Sequence, residues 1–236
     1  MSFIELHAQS AFSFLEGTMQ PEALVAEAAR LGMSAIALVD RDGVYGAPRF
    51  YQAAVRAGIK PLVGSEITLA DGSRLPLLVE DREGYQNLCR LVTRMKLGAP
   101  KGAAAIRLAD LESSTDGLVC LTGGVRGPLA RRLADGDQAG AAECLAELVA
   151  LFGRSNVFVE VQRHLDREQE RVLTALTLLK RDDLDRRLGR HPIGELIVDI
   201  ERPERALYRI ALMQATSPQV EELVTVVYRR EPRNAP

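Results

Sequence analysis

The chain has 236 residues, 47% of them hydrophobic, with 30 basic and 32 acidic side chains and a net charge of -2. That length and apolar content support one sizeable core, while a near-neutral balance without a basic arm argues against strong DNA binding by this chain alone. Aromatics make up only 5%, with no Trp, against a base-stacking platform; no segment reads as a leader or a membrane span, and Cys89, Cys120 and Cys144, far apart and without a CxxC pair, read as free thiols of a cytoplasmic protein.

Phe3, Ile4 and Leu6 predict a short buried strand that ends at His7, followed by a loop of small and aromatic residues up to Gly17. Pro21 to Leu31 predicts a helix, with Pro in its first turn, an apolar face of Leu24, Val25, Ala28 and Leu31, and Gly32 as its stop. Ser34 to Val39 is a continuous apolar run, the pattern of a buried parallel strand, and it ends in Asp40-Arg41-Asp42-Gly43. Ala47–Ala57 predicts the next helix, Ile59–Leu69 the next strand, and Asp71-Gly72 a hairpin turn into Leu75–Val79. The alternation argues for parallel strands with helical crossovers. Further on, the patterns predict a helix over Glu83–Met95, a flexible Gly98–Ala105 connection, a strand over Asp116–Leu121, helices near Pro128–Leu133 and Ala139–Phe152, a strand over Asn156–Val161 and a charge-paired helix over Asp166–Lys180. Beyond Arg181 the character changes. A charge cluster at 182–187 precedes candidate strands at Glu195–Ile200 and Leu223–Tyr228 and a candidate helix at Ala206–Ala215.

Polar residues fall at or just after the strand ends: His7 with Gln9, Asp40 with Arg41 and Asp42, Glu66, and Glu160 with Gln162 and His164, while Glu16 lies on the first loop. In α/β folds such ends converge on one rim, which is where chemistry is placed. Carboxylates and imidazoles gathered there would suit a divalent metal that activates water against a phosphate ester.

ELHAQSAFSFLEG, ALVDRDGVYG and GIKPLVGSEITL, continued by NLCRLVTRMK, GLVCLTGG and VFVEVQRHLDREQER, resemble the PHP (polymerase and histidinol phosphatase) domain at the N-terminus of the bacterial DNA polymerase III α-subunit family, in its error-prone branch. The resemblance covers residues 3–180 and implies a distorted (βα)7 barrel, incomplete or atypical at its C-terminal end. It divides the chain into a PHP-like domain, 1–181, and a divergent segment, 182–236, that is a candidate to complete the barrel. By the family pattern His7, Glu16, Asp40 and Glu66 are residual metal ligands, and Mn, Zn or Mg would be the ion. Gln9 stands where the family has a second His, and Arg41 where it has the His of Asp-His-Asp. The family's His expected within 95–107 and its final Asn-Asp-x-His segment are missing.

These departures imply a degenerate site. Arg41 carries a fixed positive charge that repels a cation and can instead pair with Glu66, Asp40 or Glu16, tying strand ends together without activating water. A phosphate-gripping role for Arg41 is the sharper reading and an internal salt bridge the favoured one. Gly123-Gly124 before a helix is a weak phosphate-loop signal, and Lys96 and Lys101 read as solvated. The expected function is therefore that of a PHP domain of an error-prone polymerase, linked to DNA replication and translesion repair. Such a domain lacks the polymerase core, has no catalytic residue or resident cofactor of its own, and acts as a scaffold among polymerase or mutasome components. A truncated product or a stand-alone module would both fit the length. The alternative is a stand-alone metal-dependent phosphoesterase or 3′–5′ exonuclease.

Overall fold

The computed structural model describes residues 4–100 and 102–161, with the backbone of 207–213 and 226–229. The predicted helix at 166–180, His164, Lys101, His191, the charge cluster at 182–187, the strand at 195–200 and the proposed boundary at 181 lie outside the described residues. Strand β1 (Glu5–Ala8) is followed by α1 (Pro21–Arg30), β2 (Ala35–Arg41), α2 (Ala47–Ala57), β3 (Lys60–Thr68), β4 (Arg74–Val79) and α3 (Arg82–Leu97). Then come β5 (Leu118–Leu121), α4 (Pro128–Ala134), α5 (Gln138–Phe152), β6 (Val157–Val161), β7 (Leu207–Met213) and β8 (Val226–Arg229).

Local chemistry explains most of these boundaries. Pro21 opens α1, where its missing N–H costs nothing. Gly58 closes α2 in the left-handed conformation at φ 70, its N–H returning to the last turn. The Asp81 carboxylate caps α3 by accepting from Gly84 N at 2.8 Å, and Asp137 caps α5 through Gly140 N at 2.8 Å.

The strands form one eight-stranded sheet in chain order. β1, β2 and β3 run parallel, as do β5 and β6, so the predicted crossovers through α1, α2, α4 and α5 stand. β4 is antiparallel to β3, because the tight Asp71-Gly72 connection is too short for a helical crossover, and it is antiparallel to β5 as well. One expectation is corrected: Ala206–Ala215 is not a helix, since 207–213 is a strand paired antiparallel with β6 and β8. A short, largely apolar segment interrupted by Arg209 fits either element by pattern, and the open edge of β6 supplies the ladder that decides it.

The sheet is curled, mixed α/β and consistent with a distorted partial barrel. Leu6, Ala37, Val39, Leu78, Leu121 and Phe158, from five different strands, pack together inside the curl. The alternate residues of β2, Ile36 and Leu38, point outward against Val25, Ala28, Phe50 and Ala54 of α1 and α2. This two-sided burial is why β2 reads as an unbroken apolar run. The largest cluster packs α3, α4 and α5 over β3–β6, with Leu75, Leu77, Leu88, Leu91 and Leu148 fully buried.

The register of β3 against β4 places Glu66 opposite Pro76 and Gly64 opposite Leu78. A Cβ on Gly64 would drive into the Leu77 carbonyl oxygen and crowd Val39 and Leu78. Gly64→Ala is therefore expected to cost about 3 kcal/mol, through forced backbone movement in the core; urea unfolding of the two proteins measures it.

Candidate functional site

β1, β2 and β6 end on the same rim, Glu66 lies near the end of β3, and the antiparallel β4 begins there at Arg74. Curling brings β1 and β6 close enough for His7 Nδ1 to lie 2.7 Å from Glu160 Oε1. The other ring nitrogen, Nε2, lies 3.2 Å from Glu66 Oε1. With a carboxylate at each nitrogen, the imidazole is held as a doubly protonated donor. Burial opposes that charge, but Glu160 and then Glu66 outweigh it and hold the His7 pKa up at about 10. On the same strand, the Glu5 carboxylate accepts from His7 N at 2.8 Å, and its pKa is raised by burial.

Glu66, itself buried, also accepts from Gln9 Nε2 at 2.9 Å and from Arg74 Nη1 at 3.0 Å. Gln9, two residues beyond His7, thus reaches the same carboxylate. Burial works to raise the Glu66 pKa, and the bond and charge of His7 and those of Arg74 bring it below its ordinary value.

Arg74 forms a fork on Glu16, with Nη1 to Oε2 at 2.5 Å and Nη2 to Oε1 at 2.8 Å. Arg41 Nη1 adds a bond to Glu16 Oε1 at 3.0 Å, and Arg126 Nη1 lies 3.1 Å from Oε2. Three guanidinium groups from three parts of the sheet rim therefore meet one carboxylate. The hydrogen bonds of Arg74 come first among the causes that hold Glu16 at a pKa of about 2, against partial burial, with the charges of Arg74, Arg126 and Arg41 adding to them.

The structure brings His7 and Glu66 together with Glu160, as their positions at or near strand ends predict, and the first loop adds Glu16 through Arg74. Of the three partners open to Arg41, it selects Glu16. Asp40 is turned to another task. Its buried carboxylate accepts from Ser10 N at 2.8 Å and from the Ser10 and Ser13 hydroxyls at 2.8 to 2.9 Å, so it anchors the loop that carries Glu16. Asp42 accepts from Thr68 N at 2.8 Å and Thr68 Oγ1 at 2.9 Å, tying the end of β2 to the end of β3. Gly123 and Gly124 take positive φ. A Cβ on Gly123 would strike the Arg74 carbonyl, so this pair packs against the start of β4 rather than around an anion.

Sequence reasoning missed Arg74 and Arg126. Arg74 follows the Asp71-Gly72 turn with no signal of its own, and only the antiparallel direction of β4 delivers it to the rim. Arg126 had no signal beyond its position after two glycines. A separate cavity of about 640 Å³ is lined by residues that include Arg94, Met95, Ile106, Arg107, Asp110 and Glu112; Arg107 pairs with Asp110 and Arg94 donates to the Asp110 carbonyl.

These residues do not fit a divalent ion. A metal-bound imidazole needs a free lone pair, whereas both nitrogens of His7 face carboxylates. Arg74 fills the space between Glu16 and Glu66 with a positive charge. Among the described residues, no group of three or more His, Cys, Asp or Glu side chains is arranged to hold a metal.

The site couples stability to pH with opposite signs at its two ends. The folded-state pKa of His7, about 10, lies above its unfolded value near 6.5, so its contribution is complete below pH 6.5 and is lost as pH rises through 10. That of Glu16, about 2, lies below its unfolded value near 4.5, so its contribution is complete above pH 4.5 and is lost as pH falls through 2. The urea midpoint is expected to peak between these limits. In His7→Gln the decline between pH 7 and 10 should be shallower than in the parent, and in Glu16→Gln the acid decline should be shallower.

The PHP domain family matches residues 5–164. The chain is 40% identical over 189 residues to an error-prone DNA polymerase of Mycolicibacterium paratuberculosis, which covers 74% of this chain and 17% of that protein. It is 43% identical over 145 residues to the error-prone DNA polymerase of Symbiobacterium thermophilum, covering 55% of this chain and 13% of that protein. This chain thus spans less than a fifth of the length of the curated relatives it matches. A solved structure from Bifidobacterium adolescentis, described as a candidate metal-dependent phosphoesterase, aligns with a TM-score of 0.47 at 16% identity, over 76% of this chain and 84% of that one. With the matched segment running from β1 to just past β6, and error-prone DNA polymerases among its relatives, the chain belongs to the PHP domain family.

Proposed function

We propose that this chain serves as a structural PHP domain of an error-prone, polymerase III α-type system, a scaffold on which polymerase or mutasome components rest during replication and translesion repair in the cytoplasm. The observation that carries this reading is the guanidinium–carboxylate network at the rim. Arg74 joins Glu16 to Glu66, and His7 joins Glu66 to Glu160, so four separate segments are tied where metal-competent relatives would hold ions. A network of this kind fixes geometry. Its bidentate and charge-assisted bonds are directional and strong, and they occupy the Glu16 and Glu66 carboxylates with cationic side chains. The sheet would then act as a rigid support, with residues 1–181 as the PHP-like domain and 182–236 as the divergent segment that completes the barrel.

The rival reading, a stand-alone phosphoesterase or 3′–5′ exonuclease using Mn, Zn or Mg on His7, Glu16, Asp40 and Glu66, asks these residues to abandon their present partners. Asp40 would also have to release the loop that carries Glu16. Helices give no support to a membrane partner either, since none among the described residues is long and apolar enough to cross one.

Two measurements test the scaffold. Protein purified without chelator should contain far less than one metal ion per chain and should not hydrolyse a chromogenic phosphomonoester with added manganese or zinc. Near-stoichiometric metal with turnover lost in Glu66→Ala would replace the scaffold with an enzyme. In thermal or urea unfolding, Arg74→Ala should cost about 3 kcal/mol, because it leaves buried Glu66 with one cationic partner fewer. Arg126→Ala, at a half-exposed pair, should cost less than about 1 kcal/mol.

A further inference from the structure

The loop between β1 and α1 has its polarity inverted. Ser10 and Ser13 are buried, while Phe12, Phe14, Leu15 and Met19 are 39%, 73%, 91% and 36% exposed. Globular chains normally do the reverse. Tyr45, on the adjoining loop after β2, is 57% exposed. The two loops meet, since a Cβ on Gly46 would lie 3.2 Å from the Phe12 ring.

This exposure does not come from a slack loop. The Ser10 and Ser13 hydroxyls donate to the buried Asp40 carboxylate. The Ala11 N–H donates to the Met19 carbonyl at 2.7 Å and closes the base of the loop. Gly17 lies so close to the Ser10 carbonyl that a Cβ would not fit. Leu15 is held at φ 67, a backbone conformation unfavourable to a side chain of its size. Strain and exposed apolar area are both unfavourable for a single chain in water.

With about 200 Å² for a fully exposed side chain of this size, the five residues present about 600 Å² of mainly apolar surface, the upper end of what a monomer displays as one patch. Two such surfaces face to face would bury about 1,200 Å², the lower bound of a specific, stable interface. The charged side chains that flank the patch already have opposite partners: Arg41, Arg74 and Arg126 pair with Glu16, and Arg49 with Glu22. Arg49 also lies over the Phe12 ring, 5.9 Å from its centre. A strongly acidic or basic partner finds no unpaired complement here, whereas a second copy meets the patch without like-charge repulsion. The chain's net charge of -2 opposes self-association only weakly.

We infer that the β1–α1 loop, with Tyr45, is the self-complementary face of a homodimer. Phe14 and Leu15 of each copy pack against the same loop of the other about a two-fold axis. The inference goes beyond the scaffold reading and does not rest on it, because two copies pair here whether or not the rim binds metal.

Sedimentation velocity of the full chain from about 1 µM to about 1 mM tests the dimer. The parent should pass from monomer to dimer with a Kd on the order of 10 µM, in keeping with a small apolar interface. Leu15→Asn should weaken dimerisation about 10-fold or more; Asn tolerates the left-handed region, so the loop keeps its shape. Phe14→Ser should weaken it to a similar extent. Val55→Ser, at an exposed apolar position of α2, should leave it unchanged. A parent that stays monomeric throughout overturns the inference, as does a dimer unweakened in either loop variant or lost in Val55→Ser. The parent alone supplies a second reading that no variant's folding can compromise. Chymotryptic cleavage after Phe14 should slow as the concentration rises through the dimer constant. Equal rates at about 1 µM and about 1 mM refute self-pairing, whether the bond is open at both or shielded at both by another part of the chain.

Discussion

The contact on which the rim depends is the fork of Arg74 on Glu16 and its third arm on Glu66. It joins the loop after β1 to β3 through the first residue of β4. Without it, two carboxylates would face each other at the crest of the sheet, one of them buried. Such a pair is costly unless each member has a cation and good hydrogen bonds. The protein meets that need three times over: Arg74 between Glu16 and Glu66, His7 between Glu66 and Glu160, and the peripheral Arg41 and Arg126 on Glu16. The network is graded by exposure. Its inner members are withdrawn from solvent and direction-specific, while its outer arginines reach into water.

Two layers of polar structure lie beneath that network and have different work. Asp40 and Asp42, on either side of Arg41, hold backbone: one fastens the Glu16 loop and the other the end of β3. Arg41 alone of the three faces outward to the cluster. The Arg41 side chain thus adds its charge to the rim without taking part in the aspartate contacts that hold the frame beneath it. Inside the curl, Leu6, Val39, Leu121 and Phe158 hold the strands together by apolar burial, whatever occupies the crest above them.

Belonging to the PHP family and matching error-prone polymerases at about 40% identity sets the context, and the rim describes this particular member. A site that ties strand ends by ion pairs is rigid by construction and suited to support.

Much of this was legible in the residues before any fold was known. The order of strands and helices through residue 161 follows from apolar runs, Pro21, Gly58 and the capping aspartates, because these act over a few residues. The gathering of His7 and Glu66 follows from their places at strand ends, that of Glu16 from its place on the loop leaving β1, and the pairing of Arg41 with a carboxylate from its fixed charge. The sequence could place Glu160 at the rim but could not choose which carboxylate Arg41 takes, nor name Arg74 or Arg126 as members, because their contacts with Glu16 join residues 25 or more positions apart. Strand direction and sheet curl decide such contacts. The reversal of β4 sends Arg74 to the rim, and the curl brings β6 against β1. The strand at 207–213 is likewise a tertiary decision: its largely apolar segment suited a helix equally well, and the unpaired edge of β6 determined the outcome.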